Sequence, residues 1–377
     1  MTNVQSDSRI KRPDRGVILT AVILVLIYAL VFVLEQILPP TSMLFTVLKK
    51  GATYALVAVS MNLLNGFTGL FSLGQAGFML IGAYTYGILT IPVAQRAAVY
   101  QYYDGGLIQF AMPVIPALIL AGIVAAIFAF LIGLPVLRLK SDYLAIATLG
   151  FAEIIRAVFQ WQKLGPVTNG SNMLKDYPTF NDFNITLASG RTLYLSTLIP
   201  FVIAGVCIAI VVLLINSSYG RAFKAIRDDE VAAEAMGINL ARHKQLSFCI
   251  SSFFAGVGGA MLAMYSNTIQ AKAFTSAMTY EILLIVVIGG IGSISGSCVA
   301  SFLFVACSEW WLRFLDQEQF IGTWQVPLLR NGFRLVVFSI IIMLVVLFYR
   351  QGMFGMRELP DILRGKRNRR AGKGAVK

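Results

Sequence analysis

Apolar runs of bilayer-crossing length alternate with short polar stretches along almost the whole chain, and this alternation predicts the architecture. The runs at 17–38, 112–137, 196–215 and 335–349 approach or exceed the length that crosses a hydrocarbon core as helix, and they carry almost no charge. In lipid every backbone polar group must be satisfied within the protein, so the spans are expected to be helices. The expected fold is all-α, a polytopic transmembrane helical bundle. Its ten membrane segments fall at roughly 17–38, 43–64, 67–92, 112–137, 143–162, 196–216, 247–268, 280–291, 296–312 and 332–350. The first run is too long for a signal-peptide core and no small-residue cleavage pattern follows it, so it is read as a retained span. The organisation expected is a basic N-terminus at 1–16, a membrane domain at 17–350 and a basic tail at 351–377.

Two segments break the pattern. Residues 67–92 carry glycines at 69, 74, 77, 82 and 87 together with Gln75. Small residues allow close helix contact or a broken helix beside a cavity. The run Gly289-Gly290-Ile291-Gly292-Ser293-Ile294-Ser295-Gly296 interrupts another apolar stretch and reads as a tight membrane hairpin or a broken helix.

Between two long apolar runs stands a charged, helix-forming loop at 217–246. Arg221, Lys224 and Arg227 recur at helical spacing. Asp228, Asp229 and Glu230 favour the start of a second, short helix through its dipole. That helix is expected to run through Val231 to Met236 and to stop at Gly237, a helix-ending residue type. A solvated loop needs no such internal order; a docking surface does.

Charge then orients the chain. Four basic residues precede the first span, two lie at Arg138 and Lys140, five in 217–246 and nine from Arg350 onward, together 20 of the 31. The opposite side carries seven: Arg96, Lys163, Lys175, Arg191, Lys272, Arg313 and Arg330. The positive-inside rule places both termini and the 217–246 loop in the cytoplasm of a multi-pass protein of the cell inner or plasma membrane. The net charge of +13 follows mostly from this topology. The basic tail from Arg364 to Arg370, set directly after a span, is expected to meet anionic lipid headgroups rather than nucleic acid.

With 57% of residues hydrophobic and 13% charged, little extramembrane chain remains for an enzyme site. No segment matches the phosphate-binding pattern GxxxxGK[ST], so no nucleotide site and no bound cofactor are expected on this chain. Cys207, Cys249, Cys298 and Cys307 fall within apolar runs without metal-ligand spacing, and His243 is the only histidine. Ionisable groups inside spans are costly and often functional. Glu153 and Arg156, three apart on a helix, are placed to pair, either as a structural ion pair or as part of a translocation pathway. Glu281 and Arg334 fall near segment ends and Glu35 near the outer boundary of the first span. In the outer loops, Tyr100, Tyr102 and Tyr103 read as an interfacial aromatic belt. Residues Gly165 to Asn172 form a turn-rich stretch able to contact a partner or solute.

Several motifs in fixed order carry a resemblance. They are the stretch Ala55 to Gly66 leading into Gly69-Leu70-Phe71-Ser72-Leu73-Gly74-Gln75, then Ser141 to Gly150, then Thr168-Asn169-Gly170, the charged loop, and Gly289-Gly290-Ile291-Gly292-Ser293. Over most of 45–345 the chain resembles the permease subunits of prokaryotic ABC importers for branched-chain amino acids, specifically the larger of the two permeases. In such importers a loop motif of the form EAA-x3-G docks into a cleft on the ATPase. The stretch Val231-Ala232-Ala233-Glu234-Ala235-Met236-Gly237 occupies that register, with Val231 where the Glu would stand.

The resemblance implies ATPase-coupling roles for Asp229, Glu230, Ala232, Ala233, Glu234 and Gly237, with Glu230 and Glu234 as rival docking acids. Candidate pathway residues are Asn62, Gln75, Glu153, Arg156, Thr168 and Asn169. It also implies partners: a second permease forming a heterodimer, two ATPase subunits that hold ATP and Mg²⁺, and an extracytoplasmic substrate-binding protein. Leucine, isoleucine and valine are the expected cargo. Urea or short amides, an ion-coupled secondary carrier and an assembly subunit of a larger complex are the competing readings.

Overall fold

The computed structural model describes residues 15–39, 42–139, 141–186 and 192–312, with short pieces at 320–321 and 324–325 and a few positions between 337 and 359. The basic N-terminus before residue 15, most of the expected span at 332–350 and the tail beyond 359 lie outside the described residues.

The described chain is helical almost throughout. In order come α1 (Arg15–Ile37), α2 (Met43–Asn62), α3 (Gln75–Thr90), α4 (Val93–Val99), α5 (Val114–Val136), α6 (Ser141–Phe159) and α7 (Gly165–Thr168). There follow α8 (Leu198–Asn216), α9 (Ser218–Asp228), α10 (Glu230–Ala235), α11 (Leu240–Ser266), α12 (Ser276–Gly289) and α13 (Ile294–Val305). A two-residue hairpin pairs Ile185–Thr186 with Thr192–Leu193 in the loop before α8. Both α2 and α13 widen at their ends into π turns, Leu63–Phe67 and Ala306–Trp311.

Among the described residues, which leave out most of the expected segment 332–350, counting spans by length and apolarity gives a smaller number than the ten segments expected. Five helices qualify alone: Met43–Phe67, Val114–Val136, Leu198–Asn216, Leu240–Ser266 and Ile294–Trp311. A sixth arises if Tyr143–Phe159 and Gln162–Thr168, bent by 63°, form one broken span. The shortfall has physical causes. Residues 68–74 are not helical, which shortens α3 to 16 residues, and α12 is a shorter apolar helix of 14 residues. The expected segments 280–291 and 296–312 correspond to α12 and α13, which pack on each other as a helical hairpin about the turn at 290–293.

The core lies along α11, which packs against α3, α5 and α2. Its Gly256-Val257-Gly258-Gly259 stretch makes that packing possible. A Cβ on Gly82 of α3 would be driven into the Gly256 carbonyl, and one on Gly259 into the Met79 carbonyl. On α5 the stripe Ala117, Ala121, Ala125 and Ala129 is fully buried, while Ile115, Ile119, Ile123 and Ile127 point outward. Small residues every fourth position bring backbones into contact, and the bulky face is left to lipid.

The loops gather at two ends of the bundle. One end holds the π turn of α2, the α9–α10 hairpin and the α12–α13 turn, onto which Met353 and Phe354 return by donating to the carbonyls of Ile288 and Gly289. The other end holds α4, the segment 163–186 and the segment 268–275, tied by hydrogen bonds such as Leu107 N to Pro166 O and the Leu174–Ile269 bridge.

Candidate functional site

The α9–α10 hairpin forms as its sequence dictates. Asp229 leaves the helical region (φ −160°) and its side chain accepts from the amides of Val231 (2.9 Å) and Ala232 (3.0 Å), which caps the start of α10. At the other end Gly237 adopts φ +85°. There the Ile238 amide donates to Ala233 O and the Gly237 amide to Glu234 O, the paired bonds of a Schellman stop. Only Ala233 of α10 is buried. Val231 is 79% and Met236 83% exposed, so the helix presents an apolar tip rimmed by acids.

Those acids differ. Glu230 pairs with Lys244 of α11 at 2.6 Å, whereas Glu234 makes no ion pair among the described residues. The geometry thus leaves Glu234 as the free charge on the exposed face and uses Glu230 to fix α10 to α11.

The hairpin is also fastened to the bundle. Arg227, at the end of α9, pairs with Asp228 and donates to the carbonyl of Gly66 in the α2 π turn (3.2 Å). Its stem lies where any side chain at Gly69 would have to sit. Gly66 in turn abuts Asn62, which is fully buried. The Asn62 amide donates to Ser293 O (2.9 Å) and Ser297 Oγ (2.8 Å), and its oxygen accepts from the Gly292 amide (2.8 Å). Asn62 therefore joins α2 to the α12–α13 turn.

The other expected pathway residues fall in separate places. Gln75 is buried at the start of α3 and donates to Ser60 Oγ (2.6 Å), in a polar strip that continues through Ser251 Oγ donating to Ser60 O. Glu153 and Arg156 pair on α6, with the guanidinium Nε donating at 2.7 Å, and both are half-buried. Thr168 and Asn169 are buried at the opposite end of the bundle. Asn169, left-handed at φ 60°, donates to the carbonyls of Val99 and Met173 (both 3.1 Å), and its side-chain oxygen has no hydrogen-bond partner. The six do not converge on one cavity.

The structure adds to the reading of several single residues. Tyr100 is no belt residue: it is buried and donates to Val167 O (2.9 Å), and burial pushes its phenol up to about 12. Only Tyr102 of the three stands clear, at 70% exposure. Glu35, in the last turn of α1 where the sequence places it, is buried, and it accepts from Ser196 Oγ (3.0 Å) and the amides of Thr197 (2.6 Å) and Leu198 (3.3 Å), which caps α8. Sequence reading also passed over Lys49 and Lys50 within α2, although two cations inside an apolar run are the signal to follow. Lys50 pairs with Glu309 at 2.5 Å, beside Glu281. Lys49 turns toward Asn181 instead (3.3 Å).

A bundle of close-packed apolar helices, several long enough to cross a membrane and one pair bent as a broken span, is a polytopic helical membrane protein. The chain belongs to the family described as branched-chain amino acid transport system, permease component, which it matches over residues 43–348. It is similar to the high-affinity branched-chain amino acid transport system permease protein LivM of Salmonella typhimurium, 32% identical over 277 residues that cover 68% of this chain and 60% of that protein. The Escherichia coli LivM is 31% identical over the same length and shares. The Escherichia coli LivH, from the same transport system by its name, is 24% identical over 343 residues, 87% of this chain and 99% of that protein. The chain thus spans 60% of the length of the two LivM relatives. No solved structure matches it.

Proposed function

We propose that this chain is a membrane-spanning subunit of an ABC importer for branched-chain amino acids. It forms part of the translocation pathway and is driven through α10 by separate ATPase subunits. The observation that carries this reading is the hairpin: a six-residue helix capped at both ends, exposed along its apolar tip and locked to the bundle by Lys244 and Arg227. A rigid, exposed helix is what a cleft on a motor subunit can grip and move. Its partners are a second permease, two ATPases and an extracytoplasmic substrate-binding protein, and the hairpin end faces the cytoplasm with both termini. ATP and Mg²⁺ on the ATPases supply the free energy. This chain's part is to pass displacement of α10 through Arg227 to the α2 π turn, and through Asn62 to the α12–α13 turn, which opens the bundle alternately to each side.

The test has two stages. The tagged chain, purified from native membranes in mild detergent, is expected to bring down a second permease and P-loop ATPases in stoichiometric amounts. In the reconstituted importer, Glu234→Lys and Gly237→Leu are expected to leave membrane insertion intact and to uncouple ATP hydrolysis from uptake. Gly237 has open space around it, so a side chain there meets no clash and costs only the left-handed backbone, about 1–2 kcal/mol. Normal uptake by both variants at equal expression sinks the assignment. Uptake without partners that collapses with an ion gradient moves a secondary carrier to first place.

A further inference from the structure

Halfway through the bundle, α6 carries an ion pair on a side that this chain only partly covers. We propose that this side of α6 is where the second permease subunit docks, with the Glu153–Arg156 pair enclosed in the seam between the two chains. The proposal rests on the importer reading above and names the face that its partner takes.

Contacts on either side of the pair fix its depth. Ala152, next to Glu153, abuts Gly77 of α3, where a Cβ would come within 2.9 Å of the Ala152 Cα. Phe159, three residues beyond Arg156, packs on Tyr84 of α3 with 5.0 Å between ring centroids. Between those two levels lies Gly82, which touches Gly256 of α11, and Gly256 touches Ala125. Ala125 is the midpoint of α5, a 23-residue helix without a charged residue. At a rise of about 1.5 Å per residue the pair lies within about 8 Å of the middle of a hydrocarbon core about 30 Å thick. Charges at that depth are costly against lipid, and they turn to the interior of a bundle or to an enclosed wet space. Arg156 Nε and Nη2 both reach one Glu153 oxygen (2.7 and 2.5 Å), yet the two side chains keep 31% and 36% of their surface exposed. Pairing cancels the net charge but not the cost of stripping both groups of polar surroundings.

The neighbouring α5 shows what a lipid-facing side looks like in this protein: its outward positions are Ile115, Ile119, Ile123 and Ile127. The outward stripe of α6 is different in kind. Ile146, Gly150, Glu153, Ala157 and Gln160 recur three and four residues apart, all exposed or half-exposed. A Cβ on Gly150 would meet open space. Small residues in such a stripe let a second helix come as close as α3 comes to α11, and polar groups on it are satisfied across the contact. The occupant that fits is a membrane helix of the other permease, small or apolar along its length, with a polar group or an enclosed water opposite the pair. Lipid acyl chains match Ile146 and Gly150 but not Glu153 and Arg156.

The test uses the tagged chain in its native membranes. The photoreactive residue p-benzoylphenylalanine replaces Ile146 on α6 and, for comparison, Ile123 on α5, both exposed in this chain. After irradiation the adducts are identified by peptide mass spectrometry. Residue 146 is expected to join the second permease at about ten times the yield from residue 123, which is expected to take lipid. Gly150→Trp puts bulk where the chain itself has room, so it is expected to leave membrane insertion intact and to lower recovery of the second permease about fivefold; Ile123→Trp is expected to leave that recovery unchanged. Adducts of residue 146 with lipid, or with peptides of this chain (its own or a second copy's), overturn the proposal even if Gly150→Trp fails to insert. A higher yield from residue 123 than from 146 does the same, and so does normal recovery of the second permease with Gly150→Trp. A wild-type chain that brings down no second permease overturns the importer reading itself.

Discussion

Asn62 gives the sharpest test of how this bundle is held together. It is fully buried, and its side chain closes the gap between the α2 π turn and the α12–α13 turn with three bonds of 2.8–2.9 Å and a longer one to Gly290 O (3.4 Å), which also accepts from the Ser293 amide. Asn62→Ala removes them all but does not orphan every partner. Ser293 O keeps the hydroxyl of Ser297 (3.0 Å), so the group left without a partner is the Gly292 amide. A buried orphan donor costs about 1–3 kcal/mol. The two bonds donated by the amide, on the scale measured between membrane helices, add about 0.6 kcal/mol each. The expected loss is thus about 2–4 kcal/mol, read as a drop in the midpoint of denaturation in mixed micelles. Ser297→Ala, which costs one of those bonds and leaves Asn62 satisfied by Ser293 O, is expected to lose less than about 1 kcal/mol. The double variant is expected to lose little more than Asn62→Ala alone, because the two side chains share one interaction. A lining residue of the solute path behaves in the opposite way. Wild-type stability in Asn62→Ala with uptake alone reduced refutes the reasoning and returns Asn62 to the pathway.

Other perturbations test neighbouring joints. Arg227→Ala is expected to keep ATP hydrolysis and lose most uptake, since it frees the hairpin from Gly66 O; equal losses of both rates contradict a transmitting role. Glu35→Gln replaces a buried carboxylate cap of α8 with a group that must point an amide donor at other donors, and an expected loss of about 1–2 kcal/mol is read by thermal unfolding in detergent. Gly82→Ala forces α3 away from the Gly256 carbonyl and is expected to abolish folded yield, whereas Gly150→Ala on α6 has open space around it and is expected to be neutral or to stabilise by up to about 1 kcal/mol. Comparable yields from the two alanines speak against backbone contact between α3 and α11.

What the sequence revealed and what it hid divide by the distance of the partners. α10 was legible because its start and stop are local: Asp229 bonds amides two and three residues on, and Gly237 needs only its own φ. The lipid-facing helices were legible because their apolarity is continuous. Glu35 was not, because its partners lie 161 to 163 residues away. Asn62 was singled out as a polar residue in a span, yet its bonds to the turn around Gly292 cross about 230 residues that no periodicity reports. Lys49 and Lys50 show a different failure. As adjacent residues on a helix they point in different directions, so one meets Glu309 and the other a cavity, and a charge count treats them alike. The breaks at 68–74 and 290–293 were marked by glycine but not resolved, since glycine permits both a close contact and a bend.

The glycine face of α11 has a mechanical consequence. Helices that meet through long side chains slide by changing rotamers, each step small. Helices that meet carbonyl against Cα have nothing to rotate, and any shear separates them altogether. α3, α5 and α11 therefore form a keel with no rotamers to adjust. The α12–α13 hairpin is held to α2 in another way, by Asn62 at its turn and by Ser301 and the Lys50–Glu309 pair toward its other end, contacts that side chains can remake one at a time.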